Sequence, residues 1–443
     1  MHSIIQVAYS HNKIYNQIMN KLPTNWKEVK LGDIVYFNPK ESLIKGKIYK
    51  KVSMDCIKPR TREIIKYELD KFKGGSKFRN GDTLFARITP CLENGKIAQV
   101  SFLDDNEVGF GSTEFIVLRE KENTTLNDYI YYLFINDKIK NIAIKSMTGT
   151  SGRQRVQEDV LKYTIVNLPP LTEQKRIASI LSSFDDKIEL NNKTNKILEE
   201  MAQTIFEEWF INFNFPTANG KPYKKSGGEM IGSELGEIPK GWKIITIGDY
   251  AKLKSGFAFK NSWWQNDGIP VIKIQNISSG NLNFEQCSFV SEDKYNIAES
   301  FRVNGGDLLI SLTGSLGKFA IVPKLDKDAL VNQRVGKFFL GEEPVKKLPF
   351  LYGILNELRD LIVSLANGSV QQNISPTDIE NVKIIFPSDK MLNKYNNLMQ
   401  DVFYKIIFNQ RENEKLSKIR DSLLPKLMAG EIRIDKNFET INF

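Results

Sequence analysis

Cysteine and histidine are scarce in this chain, and the few present stand in the wrong places for catalysis or metal binding. Only three cysteines and two histidines occur among 443 residues. Cys56, Cys91 and Cys287 have no CxxC spacing, which argues against a zinc site or a disulfide framework and fits a reducing cytoplasm. His2 and His11 both lie in the N-terminal extension, so neither repeated half described below holds a histidine for acid–base or nucleophilic work. No apolar run approaches the roughly 18 residues of a membrane span, and residues 1–20 lack the continuous apolar stretch of a signal peptide. The expectation is a soluble, cytoplasmic protein. Phosphate-binding and methyl-donor motifs are missing too. Gly314 and Gly317-Lys318 imitate a phosphate loop, but the glycine spacing is wrong and Phe319 stands where a magnesium-binding hydroxyl belongs. Asn167-Leu168-Pro169-Pro170 lacks the aromatic residue of an amino-methyltransferase turn, and no glycine-rich turn follows a strand. The chain reads as having no catalytic site or cofactor of its own.

What is present is said twice. Leu22-Pro23, Trp26-Lys27 and Leu31-Gly32-Asp33 return as Ile238-Pro239, Trp242-Lys243 and Ile247-Gly248-Asp249, with an offset near 218. Asn80-Gly81-Asp82 returns as Gly305-Gly306-Asp307, and the strand-like run from Ile165 to Pro169 returns as Ile384 to Pro387. Two copies at so long a period exclude a solenoid. They predict a pseudo-twofold molecule with two similar globular domains. The 62 Lys+Arg against 53 Asp+Glu give a net charge of +9, a mild bias toward polyanions. Residues 22–170 carry a net +6 and residues 238–388 a net +2.

Each half closes on a segment with a sustained heptad seam. The first, from Thr172 as a candidate N-cap to about Asn212, places Ile177, Leu181, Phe184, Ile188, Asn191, Asn195, Leu198, Ala202, Ile205 and Trp209 at alternating spacings of four and three. Adding 218 gives Tyr395, Met399, Val402, Ile406, Asn409, Asn413, Leu416, Arg420, Leu423 and Leu427, with asparagines at the same two places. Pro425 predicts that the second helix kinks or ends near Leu424. The matched asparagines favour the two helices pairing with each other over packing each on its own domain. A short connection favours an antiparallel pair, which sets Asn191 against Asn413 and Asn195 against Asn409; a parallel pair sets Asn191 against Asn409. Residues 177–209 make a rod of roughly 50 Å, long enough to hold two reading heads over half-sites about one DNA turn, roughly 34–36 Å, apart.

The residues around the mid-chain joint carry a family resemblance. Pro216-Thr217-Ala218-Asn219-Gly220-Lys221-Pro222-Tyr223-Lys224, then Ser226-Gly227-Gly228-Glu229-Met230, then Leu235-Gly236-Glu237-Ile238-Pro239-Lys240-Gly241-Trp242 form one ordered block. With the Trp-plus-Gly-Asp opening of each half and the closing run from Leu423 to Ile432, this order resembles the DNA-specificity subunit of a type I restriction-modification system. The resemblance covers nearly the whole chain after the first 20 residues. It implies an α+β protein with two mixed α/β target-recognition domains, related by pseudo-twofold symmetry and separated by two long antiparallel coiled-coil helices. The boundaries read as a 1–21 extension, a first recognition domain over 22–170, a helix over 171–213, a linker over 214–237, a second recognition domain over 238–388, a helix over 389–430 and a tail to 443. The implied partners are double-stranded DNA, two methyltransferase subunits and motor-nuclease subunits, with S-adenosylmethionine, ATP and Mg on those subunits only.

Base reading needs paired donors and acceptors near glycines that permit close backbone approach. In the first domain that combination selects Arg87, Thr89, Asn94 and Lys96; Ser112 and Thr113 with Glu114; and Ser151, Arg153, Gln154 and Arg155. The alternatives are a solvated basic loop for the arginines and a supporting polar network for Glu93, Asn94 and Glu114. The second domain offers Lys273 and Gln275; Thr313, Ser315 and Lys318; Gln333 and Arg334; and Ser369, Gln371, Gln372 and Asn373. Amides replacing arginines predict a different half-site, with a lean toward adenine. Trp263 and Trp264 read as core or hinge packing rather than base-stacking platforms. The segment 127–147 and its counterpart 348–366 each read as one amphipathic helix. Two other readings stand beside this one: the target-reading subunit of a fused nuclease-methyltransferase system, and a coiled-coil assembly protein with two protein-binding ends.

Overall fold

The structure, a computed structural model, describes residues 25–278, 280–284, 287–314, 316–366 and 373–434. The 1–21 extension lies outside the described residues, as do Ser315, Ser369, Gln371 and Gln372. The chain divides into two compact units. Unit 1 takes the chain through Glu189 and again from Lys415; unit 2 is Leu190–Glu414. Two long helices, α1 (Leu171–Phe206) and α2 (Asp389–Met428), each contribute a stretch to both units.

In unit 1 the strands Val35–Phe37, Phe115–Glu120, Thr83–Ala86 and Ile97–Gln99 lie side by side in that order, all antiparallel. A second four-stranded sheet is mixed, because Ile48–Val52 pairs in parallel with Gly109–Gly111. Unit 2 repeats the plan. Lys252–Ser255, Val335–Phe339, Leu308–Ser311 and Phe319–Ile321 form the antiparallel sheet. Ile269–Ile272 pairs in parallel with Ala329–Val331 in the mixed sheet. In each unit the strand after the opening tryptophan pairs with the strand before the long helix: Lys27–Lys30 with Ile165–Leu168, and Lys243–Thr246 with Lys383–Phe386.

The repeated Gly-Asp motif is structural. Gly81 and Gly306 turn the chain at φ 88° and 90°, values that glycine adopts without strain. The following aspartates are buried and close the turn: Asp82 accepts from the Arg79 N–H at 2.8 Å and Asp307 from the Asn304 N–H at 2.7 Å. A cation from the neighbouring strand pairs with each, Arg119 at 2.7 Å and Lys337 at 2.6 Å. Unpaired, a carboxylate buried this deeply would cost several kcal/mol.

Four helix expectations are corrected. The 127–147 segment is two helices, Asn127–Ile135 and Asp137–Lys145, because Asn136 leaves helical geometry at ψ 130° and its side chain caps the second by accepting from the Lys138 N–H. Its counterpart breaks at Leu358 into Leu348–Glu357 and Arg359–Ser364. α1 starts before Thr172, since the Pro170 carbonyl already accepts from the Glu173 and Gln174 N–H groups. The buried Gln174 side chain then ties α1 to its unit, donating to the Thr124 and Pro169 carbonyls. α2 does not stop near Leu424; it runs through Pro425 to Met428, and the Pro425 carbonyl accepts from the Ala429 N–H at 2.9 Å. A proline this close to the C-terminus removes one bond from the last turns, at about 3 kcal/mol. Burial of Leu424, Leu427 and Met428 in the unit 1 core, at about 1.5–3 kcal/mol each, offsets that loss.

The helices are antiparallel in both units. In unit 1, Ile177, Ala178 and Leu181 near the start of α1 share a core with Leu424, Leu427 and Met428 at the end of α2. In unit 2, Ala202 and Phe206 near the end of α1 share a core with Tyr395, Met399, Phe403 and Ile406. A π-helical turn at Glu207–Ile211 then carries Trp209 and Phe210 into an aromatic cluster with Phe350 and Tyr395.

Candidate nucleic-acid interface

In unit 1 three segments far apart in sequence are stitched into one surface by backbone hydrogen bonds. The Arg87 N–H donates to the Glu114 carbonyl at 2.9 Å, the Val156 N–H to the Arg87 carbonyl at 2.8 Å, and the Thr89 N–H to the Gln154 carbonyl at 3.0 Å. An antiparallel bridge joins Ile88 to Arg155. The loops around Arg87–Lys96, Ser112–Glu114 and Thr148–Arg155 are therefore one structure.

Their side chains divide into outward and inward groups. Asn94, Thr113, Ser151 and Arg153 are exposed, and Gln154 is half-buried. Arg155 is exposed but held: its Nε donates to Glu114 Oε2 at 2.9 Å and its Nη2 to Oε1 at 2.6 Å, a forked ion pair. That bond keeps the Glu114 carboxyl below its usual range against the opposing effect of burial. The other candidates face inward. Arg87 Nη2 donates to the Val156 carbonyl at 3.3 Å, Thr89 Oγ1 to Met147 Sδ at 3.3 Å, and Lys96 Nζ to the Met54 carbonyl at 2.9 Å. Ser112 Oγ accepts from the Glu114 N–H and shapes the turn.

Unit 2 builds the corresponding junction. The Leu312 N–H donates to the Arg334 carbonyl at 3.0 Å, the Ile374 N–H donates to the Leu312 carbonyl at 2.9 Å, and Thr313 bridges Asn373. Gln275, Gln333, Arg334 and Asn373 are exposed; Thr313 and Lys318 are half-buried. Lys273 is half-buried and held by its neighbours. Its Nζ donates to Ser288 Oγ at 2.7 Å and lies 3.6 Å from the Trp264 ring centroid, and burial lowers its pKa. Trp263 and Trp264 pack with Phe257 and Phe259 against a small core.

The seam asparagines hydrogen-bond across the helices within unit 2. Asn191 Nδ2 donates to Asn413 Oδ1 at 2.9 Å and to Glu412 Oε2 at 2.7 Å, while Asn413 Nδ2 donates to Asn192 Oδ1 at 2.9 Å. Asn409 Nδ2 donates to Asn195 Oδ1 at 2.8 Å. Asn195 and Asn409 are buried, as are Ile406 and, in unit 1, Leu416; Leu198 and Ile188 are half-buried. A paired amide in such a seam fixes register, because any slip leaves it unpaired.

Sequence reasoning missed a buried ionic cluster in unit 1. Asp185 pairs with Arg420 and accepts from Tyr132 Oη at 2.6 Å. Beside it, Arg62 reaches Glu189 at 2.8 Å and also Asp186. The seam pattern did not announce it: in the register that pairs 191 with 413 and 195 with 409, Arg420 falls opposite the apolar Phe184, and its partner Asp185 is the next residue along.

Known proteins resemble this chain over most of its length. The family model described as the type I restriction modification DNA specificity domain matches twice, over residues 23–200 and 239–418. The type I restriction enzyme MjaIX specificity subunit of Methanocaldococcus jannaschii is 33% identical over 320 residues, 70% of each chain. The MjaVIII specificity subunit of the same organism is 27% identical over 451 residues, covering 97% of this chain and 98% of that one. The crystal structure of a type I restriction-modification S subunit from M. genitalium shares the fold, with a TM-score of 0.50 at 17% identity, covering 92% of this chain and 98% of that one.

Proposed function

Because this chain belongs to the type I restriction modification DNA specificity family, we propose that it is the DNA-reading subunit of a cytoplasmic restriction-modification complex. Each unit reads one half of a bipartite duplex target, and the paired helices set the interval between the halves. The observation that carries this reading is the repeated junction. The same backbone hydrogen bonds gather the same loops in both units, yet the exposed side chains differ, with Arg153 and Arg155 in one and Arg334 and Asn373 in the other. Two similar frames with different polar edges suit two different base sequences.

Catalysis then belongs to partner subunits, which bring S-adenosylmethionine, ATP and Mg. The methyltransferase subunits dock on the long helices, where large apolar side chains are left exposed: Leu190, Ile197 and Met201 on α1, and Leu398, Tyr404 and Phe408 on α2. Exposed apolar side chains at one helical spacing, as at Leu190, Ile197 and Met201, suit a protein contact. Among the described residues no helix is long and apolar enough to cross a membrane.

Binding of the assembled methyltransferase complex to duplex DNA, measured across a salt series, tests the reading. Phosphate contacts release counterions, so affinity should fall steeply and log-linearly as salt rises. A flat salt response would favour an assembly protein whose two ends bind other proteins.

A further inference from the structure

The two junctions carry exchanged side chains in equivalent places. Their hydrogen bonds match position by position, so Leu312 stands for Arg87, Arg334 for Glu114 and Asn373 for Arg155. In unit 1 a carboxylate lies between two guanidinium groups; in unit 2 a guanidinium stands across from a carboxamide. Each trio has one net positive charge, carried on a different loop.

The geometry in unit 1 constrains what Arg155 can do. A guanidinium has five N–H donors in one plane. Glu114 takes the Nε edge and one Nη2 donor of Arg155. The plane is thereby fixed while the outer edge, formed by Nη1 and the rest of Nη2, stays free of that carboxylate. The side chain remains 45% exposed. A guanidinium held this way has already given up its rotamer freedom and meets a pair of acceptors, such as guanine O6 and N7, at little further entropic cost. A second contact also fixes the carboxylate's position: the Ser112 hydroxyl accepts from the Glu114 N–H, setting the turn that carries it.

We propose that Glu114 is a positioning residue for Arg155, and that the exchanged pairs Glu114/Arg155 and Arg334/Asn373 set base preference at one equivalent place in each half-site. This rests on the bipartite reading above and names the residues that make the two halves differ.

The test uses the full chain assembled with its methyltransferase subunits, acting on a randomised duplex library whose methylated products are sequenced. Glu114→Gln keeps the shape but loses the charged fork. It should relax preference at one or two adjacent positions of a single half-site by roughly three- to tenfold, with the other half-site unchanged. Arg155→Lys, which keeps the charge and loses the planar fork, should relax the same positions. Arg155→Ala should lose most of the discrimination there, roughly five- to a hundredfold. The exchange Glu114→Arg with Arg155→Asn should change which base is preferred there and nowhere else. A profile identical to wild type in both Glu114→Gln and Arg155→Lys would overturn the proposal. So would uniform weakening over both half-sites, the mark of a merely structural ion pair. If the unmodified chain itself yields no bipartite motif, the proposed function has failed instead.

Discussion

Removing Arg420 should destabilise unit 1 far more than the loss of a surface charge. Arg420 and Asp185 are both buried, with side-chain exposures of 6% and 4%. One Asp185 oxygen meets Arg420 and the other accepts from Tyr132. Arg420→Ala leaves the carboxylate in the core with only a phenol as partner, which costs about 3–5 kcal/mol. For a unit of this size each kcal/mol lowers the melting temperature by roughly 2–4 °C, so the unit 1 transition should fall by roughly 6–20 °C. Scanning calorimetry of the full chain reads this, with the unit 2 transition as an internal reference. The double variant Asp185→Leu with Arg420→Met removes both charges and fills the space, so most of the stability should return, to within about 1–2 kcal/mol of the parent. If Arg420→Ala shifts the transition by less than about 1 kcal/mol, as an exposed pair would, the cluster is not the buried lock described here.

Two further outcomes follow from the helices. Burial, with a smaller push from Glu200, raises the half-buried Glu199 carboxyl to about 7. A raised folded-state pKa means the native state holds the proton more tightly; the resulting stability is full below about 4.5 and is lost as pH rises through about 7. Glu199→Gln should remove a loss of about 2–3 kcal/mol between pH 5 and 8, read as urea midpoints at the two pH values. Replacing Asn195 and Asn409 together by leucine should stabilise unit 2 by removing a buried polar pair, yet weaken control of helix register. Cysteine crosslinking between the helices should then report more than one alignment, where the parent gives one.

Much of the architecture was legible because it rests on repetition and period. The offset of 218 exposed two similar units, and the matched asparagines together with a short connection gave the antiparallel direction. The finer departures arise from tertiary context, which overrides local propensity. Asn136 breaks a helix that the apolar pattern would continue, because its side chain caps the next one. Pro425 is tolerated where the flanking residues are buried deeply enough. At the candidate interface, residue type and nearby glycines selected the loops, and the structure shows which members are held by a neighbour. Lys273 lies on Trp264, Lys96 on the Met54 carbonyl, and Arg155 in the grip of Glu114. No spacing rule announces such pairs, since Glu114 and Arg155 lie on separate loops that meet only through the junction.

The proposed function requires the helix pair to set the interval between two readers. Inserting one heptad after Glu189 and one after Glu414, levels next to the Asn191–Asn413 contact, keeps the seam in phase and lengthens it by about 10 Å, or about three base pairs of duplex. Mapping methylated sites in DNA modified by the assembled complex should then show both half-site sequences unchanged and the unread interval between them longer by about three base pairs. An unchanged interval would contradict the account.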